Sequence, residues 1–179
     1  AIPSGNFGNA YSAWFGRNNG LPINEIFCTS NVNDVLTRFI SSGNLEPRET
    51  IPSVAPSMDI QIPSSLERLI YDLEGEAESF YDQLQSQKIA NLTEESTAEL
   101  QNVFSSLSFD DEMILKEIEL FYKNYGWIID PHTATALSSS ASFSSNLPVV
   151  GVATASPEKF SNVISKIIDE FTIENKKNK

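Results

Sequence analysis

Cationic side chains, cysteine and histidine are scarce in this sequence, and long apolar runs are missing from it. Twelve Lys and Arg stand against 24 Asp and Glu, a formal net charge of −12 over 179 residues. A surface of that sign repels phosphodiester backbones and anionic headgroups, so neither nucleic acid nor a membrane surface is expected as a partner. Cys28 is the only cysteine, which rules out an intramolecular disulfide and makes a cytoplasmic setting the expected one. His132 is the only histidine, and no ligand pair has metal spacing, so no metal site is expected. A Gly-x-Ser-x-Gly elbow is absent, and a single histidine at a helix start is a poor base for a Ser-His-Asp hydrolase. No apolar run reaches the roughly 18 residues of a membrane-spanning helix, and the start has no charged and greasy leader pattern.

What is present begins at the first residues. Ser4-Gly5-Asn6-Phe7-Gly8-Asn9 sets two glycines three apart among small polar side chains, and Ala10 to Asn19 reads as a helix. One reading is an ordinary turn that needs positive φ. The other is an anion site, because the unpaired N–H groups of a helix start coincide with the positive end of its dipole. Phosphate is the natural guest. Such a loop needs a strand of five or six residues before it, and only Ala1 and Ile2 precede Pro3. A chain that is part of a longer protein is the expectation.

Ile23 to Thr29 fits a buried strand, giving a β-α-β unit with parallel strands. The phosphate loop then lies at the carboxyl edge, with Asn31-Val32-Asn33-Asp34 beside it after the second strand. Asn33 or Asp34 can cap a helix over 35–41; Asn31 or Asn33 can equally face the ligand cleft. Arg38, four residues beyond Asp34, can pair with it or reach a substrate anion. Residues 43–65 read as a long loop, and 66–107 as helical, the last stripe being Leu100, Val103, Phe104 and Leu107. Ser108 is expected to cap a helix carrying Ile114, Ile118, Phe121, Tyr122 and Tyr125, and Asp130-Pro131 to open the next. Leu147 to Ala153 reads as a second strand, and Phe160, Val163, Ile164, Ile167, Ile168 and Phe171 as one helix face. His132, at a helix start, reads as structural. Thr154, at the end of its strand, reads on its own as a cap or ladder-end residue.

Taken in order, Ser4 to Asn9, Asn31 to Asp34, Ser57-Met58-Asp59, Asp130-Pro131-His132-Thr133-Ala134 and 153–160 resemble the C-terminal half of threonine synthase. The resemblance implies an α/β chain forming part of the large domain of a fold type II enzyme dependent on pyridoxal 5′-phosphate (PLP), a parallel sheet flanked by helices. Residues 1–179 would be its C-terminal part, with 43–110 a loop and helical insertion. It implies that Ser4, Gly5, Asn6, Phe7, Gly8 and Asn9 hold the PLP phosphate and that Thr154 partners the pyridine nitrogen. Asn31, Asn33, Asp34 and Arg38 would lie near the substrate. The implied reaction converts O-phosphohomoserine and water to threonine and phosphate. The family's Schiff-base lysine precedes the phosphate loop, and every lysine here follows it, so no catalytic residue is expected in this chain. Its partner would be the N-terminal half of the same enzyme, and the chain alone would be inactive. Two rival readings are another enzyme of the same fold, such as a dehydratase or cysteine synthase, and a non-catalytic module for a phosphorylated ligand. Ser156 stands where relatives often have His, and Asp130 where some have Glu.

Overall fold

The computed structural model describes residues 1–139 and 147–168. Strand β1 (Ile2–Pro3) leads through a short loop into helix α1 (Gly8–Asn18), and β2 (Ile26–Ser30) returns parallel to β1. Cys28 lies beside Ile2 and Thr29 beside Pro3. This is the expected β-α-β unit, with β2 starting three residues later than its apolar pattern indicates. All five residues of β2 are buried, as befits a strand covered on both faces. Helix α2 (Val35–Ser42) turns Val35, Leu36, Phe39 and Ile40 inward and stops at Gly43, whose φ of 74° closes the helix in the left-handed region.

The stretch read as one long loop carries β3 (Asn44–Leu45) and a 3₁₀ turn over Pro56–Met58. Helices α3 (Leu66–Glu74) and α4 (Glu78–Gln87) follow, then β4 (Ala90–Asn91), which pairs antiparallel with β3. Thr93 opens α5 (Glu94–Val103) by accepting the Ser96 N–H.

Three expectations change here. The stripe through Leu100, Val103, Phe104 and Leu107 is not one helix: α5 ends at Val103, and Phe104–Ser108 forms β5, parallel to β2 over five residue pairs. The i, i+3, i+4, i+7 spacing fits a helix, but a complete ladder against a buried strand outweighs local periodicity. Helix α6 (Asp111–Tyr125) is capped by Asp110, which accepts the Met113 N–H at 2.8 Å, and not by Ser108, the last residue of β5. Leu147 to Ala153 is not a regular strand. It makes one parallel rung with Ala1, whose amine donates to Val150 O (2.8 Å) and whose carbonyl accepts Val152 N–H (3.0 Å). The next rung would need an N–H on Pro3, which proline lacks.

Asp130 and Pro131 open α7 (Pro131–Ser138) as cap and first residue. A 3₁₀ turn (Pro157–Phe160) runs into α8 (Ser161–Ile164), a shorter helix than the apolar spacing indicates; Phe171 lies outside the described residues. The sheet order is β1-β2-β5. One apolar core, including Phe7, Trp14, Cys28, Phe39, Leu69, Phe80 and Phe104, packs about that sheet and helices α1 to α5. A second, with Met58, Ile114, Ile118, Ala134 and Ile164, joins α6, α7 and α8 to the 56–58 turn. Among the described residues no helix is long and apolar enough to cross a membrane.

Candidate phosphate-binding site

The chain leaves the sheet at Ser4, whose N–H donates to Thr29 O at 2.7 Å and whose hydroxyl donates to Ile2 O at 3.0 Å. Neither glycine supplies the left-handed residue of the turn. Phe7 does, with φ 69°. That conformation costs a non-glycine residue about 1–2 kcal/mol, and burying the phenyl ring, here 1% exposed and 5.5 Å from Phe104, is worth about as much or more. Gly5 is needed for a different reason: a Cβ there would sit 2.6 Å from Ser57 O and 3.1 Å from Met58 Cα. At Gly8 the nearest atom to such a Cβ is Ser65 Oγ, at an ordinary 3.6 Å.

The first helical hydrogen bond of α1 runs from Tyr11 N–H to Phe7 O at 2.9 Å. The N–H groups of Gly8, Asn9 and Ala10 therefore have no acceptor in the helix, and Phe7 as N-cap brings no side-chain acceptor. No other described residue accepts from them. The outer side of the loop is held elsewhere: Asn6 O accepts Ser65 N–H (2.9 Å), and Asn6 Oδ1 accepts from the Ser64 hydroxyl (3.2 Å). Residues 3–9 border a cavity of about 250 Å³ together with Ser57, Met58, His132 and Thr154. In a chain of net charge −12, none of these lining residues is acidic. Open N–H donors, the positive end of a helix dipole and the absence of carboxylates together suit an anion. A larger hollow, about 330 Å³, lies between α1 and α3, but Glu67 and Asp72 line it, and Asp72 is engaged by Trp14 Nε1 at 3.0 Å. Cys28, beside Ser4, is pushed up to about 12 by burial and stays a neutral thiol.

His132 is 3% exposed and contacts the cavity wall from α7. Its Nε2 accepts Ser57 N–H (3.1 Å) and its Nδ1 lies 2.9 Å from Asp130 Oδ1. Burial pushes the Asp130 carboxyl up, but hydrogen bonds from the His132 ring, from Thr133 and from the His132 N–H outweigh it and hold the group below its ordinary value.

The second polar loop at the same edge is occupied by its own contacts. Asn31, 0% exposed, directs Nδ2 at Ser53 Oγ (2.6 Å), Asp59 Oδ1 (2.6 Å) and Ala55 O (3.2 Å), while its Oδ1 accepts Asn33 N–H (2.9 Å). Asn33 Nδ2 donates to Ile51 O (2.8 Å) and Asp59 Oδ1 (3.0 Å), and its Oδ1 accepts Ile51 N–H (2.8 Å). Asp34 stands at the N-cap position of α2 without a side-chain cap bond and instead accepts from Arg38 Nε at 2.9 Å, the i, i+4 pairing. Arg38 Nη1 reaches Glu46 at 3.5 Å, and Nη2 is buried without a partner among the described residues. So Ser4 to Asn9 and Thr154 come together around one cavity, and Asn31, Asn33, Asp34 and Arg38 do not border it. Ser57, Met58 and His132 do. Their segments carry the sequence resemblance, yet nothing in the residue types marks them as cavity walls.

This is the architecture of α/β proteins that hold an anionic ligand where a parallel sheet's carboxyl edge meets a helix start. No family model matches the chain. It is 34% identical over 173 residues to a threonine synthase from Pseudomonas aeruginosa, an alignment covering 93% of this chain and 37% of that relative. The crystal structure of PLP-bound threonine synthase from Brucella melitensis superposes with a TM-score of 0.88 at 29% identity, over 93% of this chain and 37% of that one. The threonine synthase from yeast superposes with a TM-score of 0.91 at 25% identity, over 98% and 40%. The chain is threonine synthase-like and corresponds to the C-terminal portion of those proteins, spanning less than half of their length.

Proposed function

We propose that this chain is the phosphate-holding C-terminal part of a PLP-dependent lyase that converts O-phosphohomoserine and water to threonine and phosphate, in a cytoplasmic setting. The observation that carries the reading is the set of open N–H groups at the start of α1, on a cavity without carboxylates that Thr154 shares. Residues 4–9 fit the dianionic end of PLP: a backbone cradle, a glycine at a point where no side chain fits, and a helix dipole of the right sign. PLP bound there supplies the electron sink on which the replacement chemistry depends. Thr154, with a neutral hydroxyl, would hold the pyridine nitrogen without protonating it. Asn31 and Asn33 act toward substrate through the 51–61 loop they fasten. Asp34 orients Arg38, which stands on the substrate side in this reading.

Among the described residues no lysine lines the cavity. The lysine that anchors PLP comes, in this proposal, from the N-terminal half of the same enzyme, and the chain alone is inactive. That absence also supports a second reading, a module that binds a phosphorylated ligand without chemistry. One experiment separates them: the complete protein is given PLP and O-phosphohomoserine, and visible absorption, phosphate and threonine are followed. A PLP–lysine band with equal release of phosphate and threonine supports the lyase. Binding of PLP with neither band nor release supports the module, and no binding of PLP overturns the lyase.

A further inference from the structure

Two segments that carry the family resemblance, Ser57-Met58-Asp59 and Asp130 to Ala134, are joined by a single hydrogen bond, and the second of them has no task in the function proposed above. His132 Nε2 accepts the Ser57 N–H at 3.1 Å. A ring nitrogen that accepts a hydrogen bond carries no proton, so the proton of the neutral imidazole is on Nδ1, donated to Asp130 Oδ1 at 2.9 Å. The ring is fixed in one tautomer, buried, with Phe160 at 4.9 Å from its centroid. Ser57 in turn is the floor on which the phosphate loop rests, since its carbonyl oxygen occupies the space beside Gly5 that any Cβ would enter at 2.6 Å. A second path leads to the same loop. Thr135 Oγ1 donates to His132 O (2.8 Å) and meets Thr29 Oγ1 (2.7 Å), while Thr29 O accepts the Ser4 N–H (2.7 Å). Ser4 and Gly5 are thus both referenced to α7.

We propose that His132 is a positioning residue for the phosphate site: by holding the Ser57–Met58 turn against Gly5 it fixes the point on which the loop N–H groups converge. The inference rests on the reading that residues 4–9 hold the PLP phosphate. Donors aimed at an anion work over a few tenths of an ångström, so a turn that slackens misplaces them without unfolding anything.

The test compares dissociation constants for PLP and for pyridoxal, which lacks the phosphate, on the complete protein stripped of cofactor. His132→Phe fills the space but cannot accept the Ser57 N–H; it is expected to weaken PLP about tenfold, the worth of roughly one hydrogen bond to a charged group. Pyridoxal should move less than about twofold, since the introduced phenyl ring leaves the rest of the cavity in place. His132→Gln, whose Oε1 can take the place of Nε2, is expected to restore most of the lost affinity. Equal losses for the two ligands, or no recovery with the glutamine variant, overturn the positioning role. A wild-type protein that binds PLP no better than pyridoxal overturns the phosphate-site reading itself. Wild-type protein provides a check that needs no variant to fold: in ¹⁵N-labelled material a coupling across the hydrogen bond between the Ser57 amide nitrogen and His132 Nε2 is expected, and its absence overturns the proposal.

Discussion

Residues 4–9 follow β1 and residues 31–34 follow β2, and both leave the sheet at its carboxyl edge. In composition both are rich in Asn, two residues in each. In hydrogen bonding they are opposites. Asn31 and Asn33 are buried and meet Ile51, Ser53, Ala55 and Asp59 with nearly all of their amide capacity. At the start of α1 three backbone N–H groups have no acceptor among the described residues, and the cavity beside them is free of carboxylates. A loop rich in asparagine is therefore not a site by composition. What makes one is the capacity left over once the protein's own acceptors are counted. The first loop has such a remainder and the second does not.

The largest effect that can break this contrast is expected at Asn31. Asn31→Ala removes the donors to Ser53, Ala55 and Asp59 and the acceptor for Asn33 N–H, leaving the half-buried Asp59 carboxylate short of one partner and the buried Asn33 amide without its acceptor. A loss of about 3–4 kcal/mol is expected from unsatisfied buried groups of this kind, read as the free energy of denaturant unfolding. A variant of near wild-type stability that loses substrate affinity would return Asn31 to the ligand cleft.

Asp130 comes next, and its effect depends on pH. Its folded-state value lies below the ordinary 3.8, so its carboxylate adds stability above that pH, and the contribution is lost as pH falls through the lower folded value. Asp130→Asn should cost about 2 kcal/mol at neutral pH, the scale of hydrogen bonds to a buried charge. The gap to wild type should close as the solution is taken below 3.8. Unfolding curves from neutral pH to about pH 3 check both halves; a gap that widens in acid would mean that burial, not the donors from His132 and Thr133, sets the state of this carboxyl.

Much of this is open to reading in the sequence. The β-α-β unit, the capped starts at Thr93 and Asp130, and the inward face of α2 follow from spacing and cap chemistry, which are local. The misread elements are the ones set by distant partners. Phe104 to Ser108 has helical spacing and becomes a strand because β2 offers a full parallel edge. Leu147 to Ala153 has strand composition and stops after one rung because the neighbouring position is Pro3. At the site, Ser4 to Asn9 can be picked out by residue type. Ser57 and His132 cannot, since their place depends on a contact across 75 positions of sequence.

The two glycines of the first loop allow the finest division. Gly5 is demanded by the protein: its missing Cβ leaves room for Ser57 O, so Gly5→Ala should destabilise the cofactor-free chain by about 1–3 kcal/mol through overpacking and weaken PLP as well. Gly8 meets no such demand. Its φ is not in the left-handed region, and a Cβ would find only Ser65 Oγ, at 3.6 Å. As the first residue of α1 it should be a better helix residue as alanine, which predicts a gain of about 0.5 kcal/mol for Gly8→Ala in the absence of ligand. Since Gly8 borders the cavity, the one body its Cβ can obstruct is a bound anion, so the same variant should bind PLP more weakly. Stability up with phosphate affinity down would mean that Gly8 serves the ligand alone, whereas both unchanged would place the anion away from the start of α1. Paired thermal unfolding and PLP titration of the two variants reads this directly.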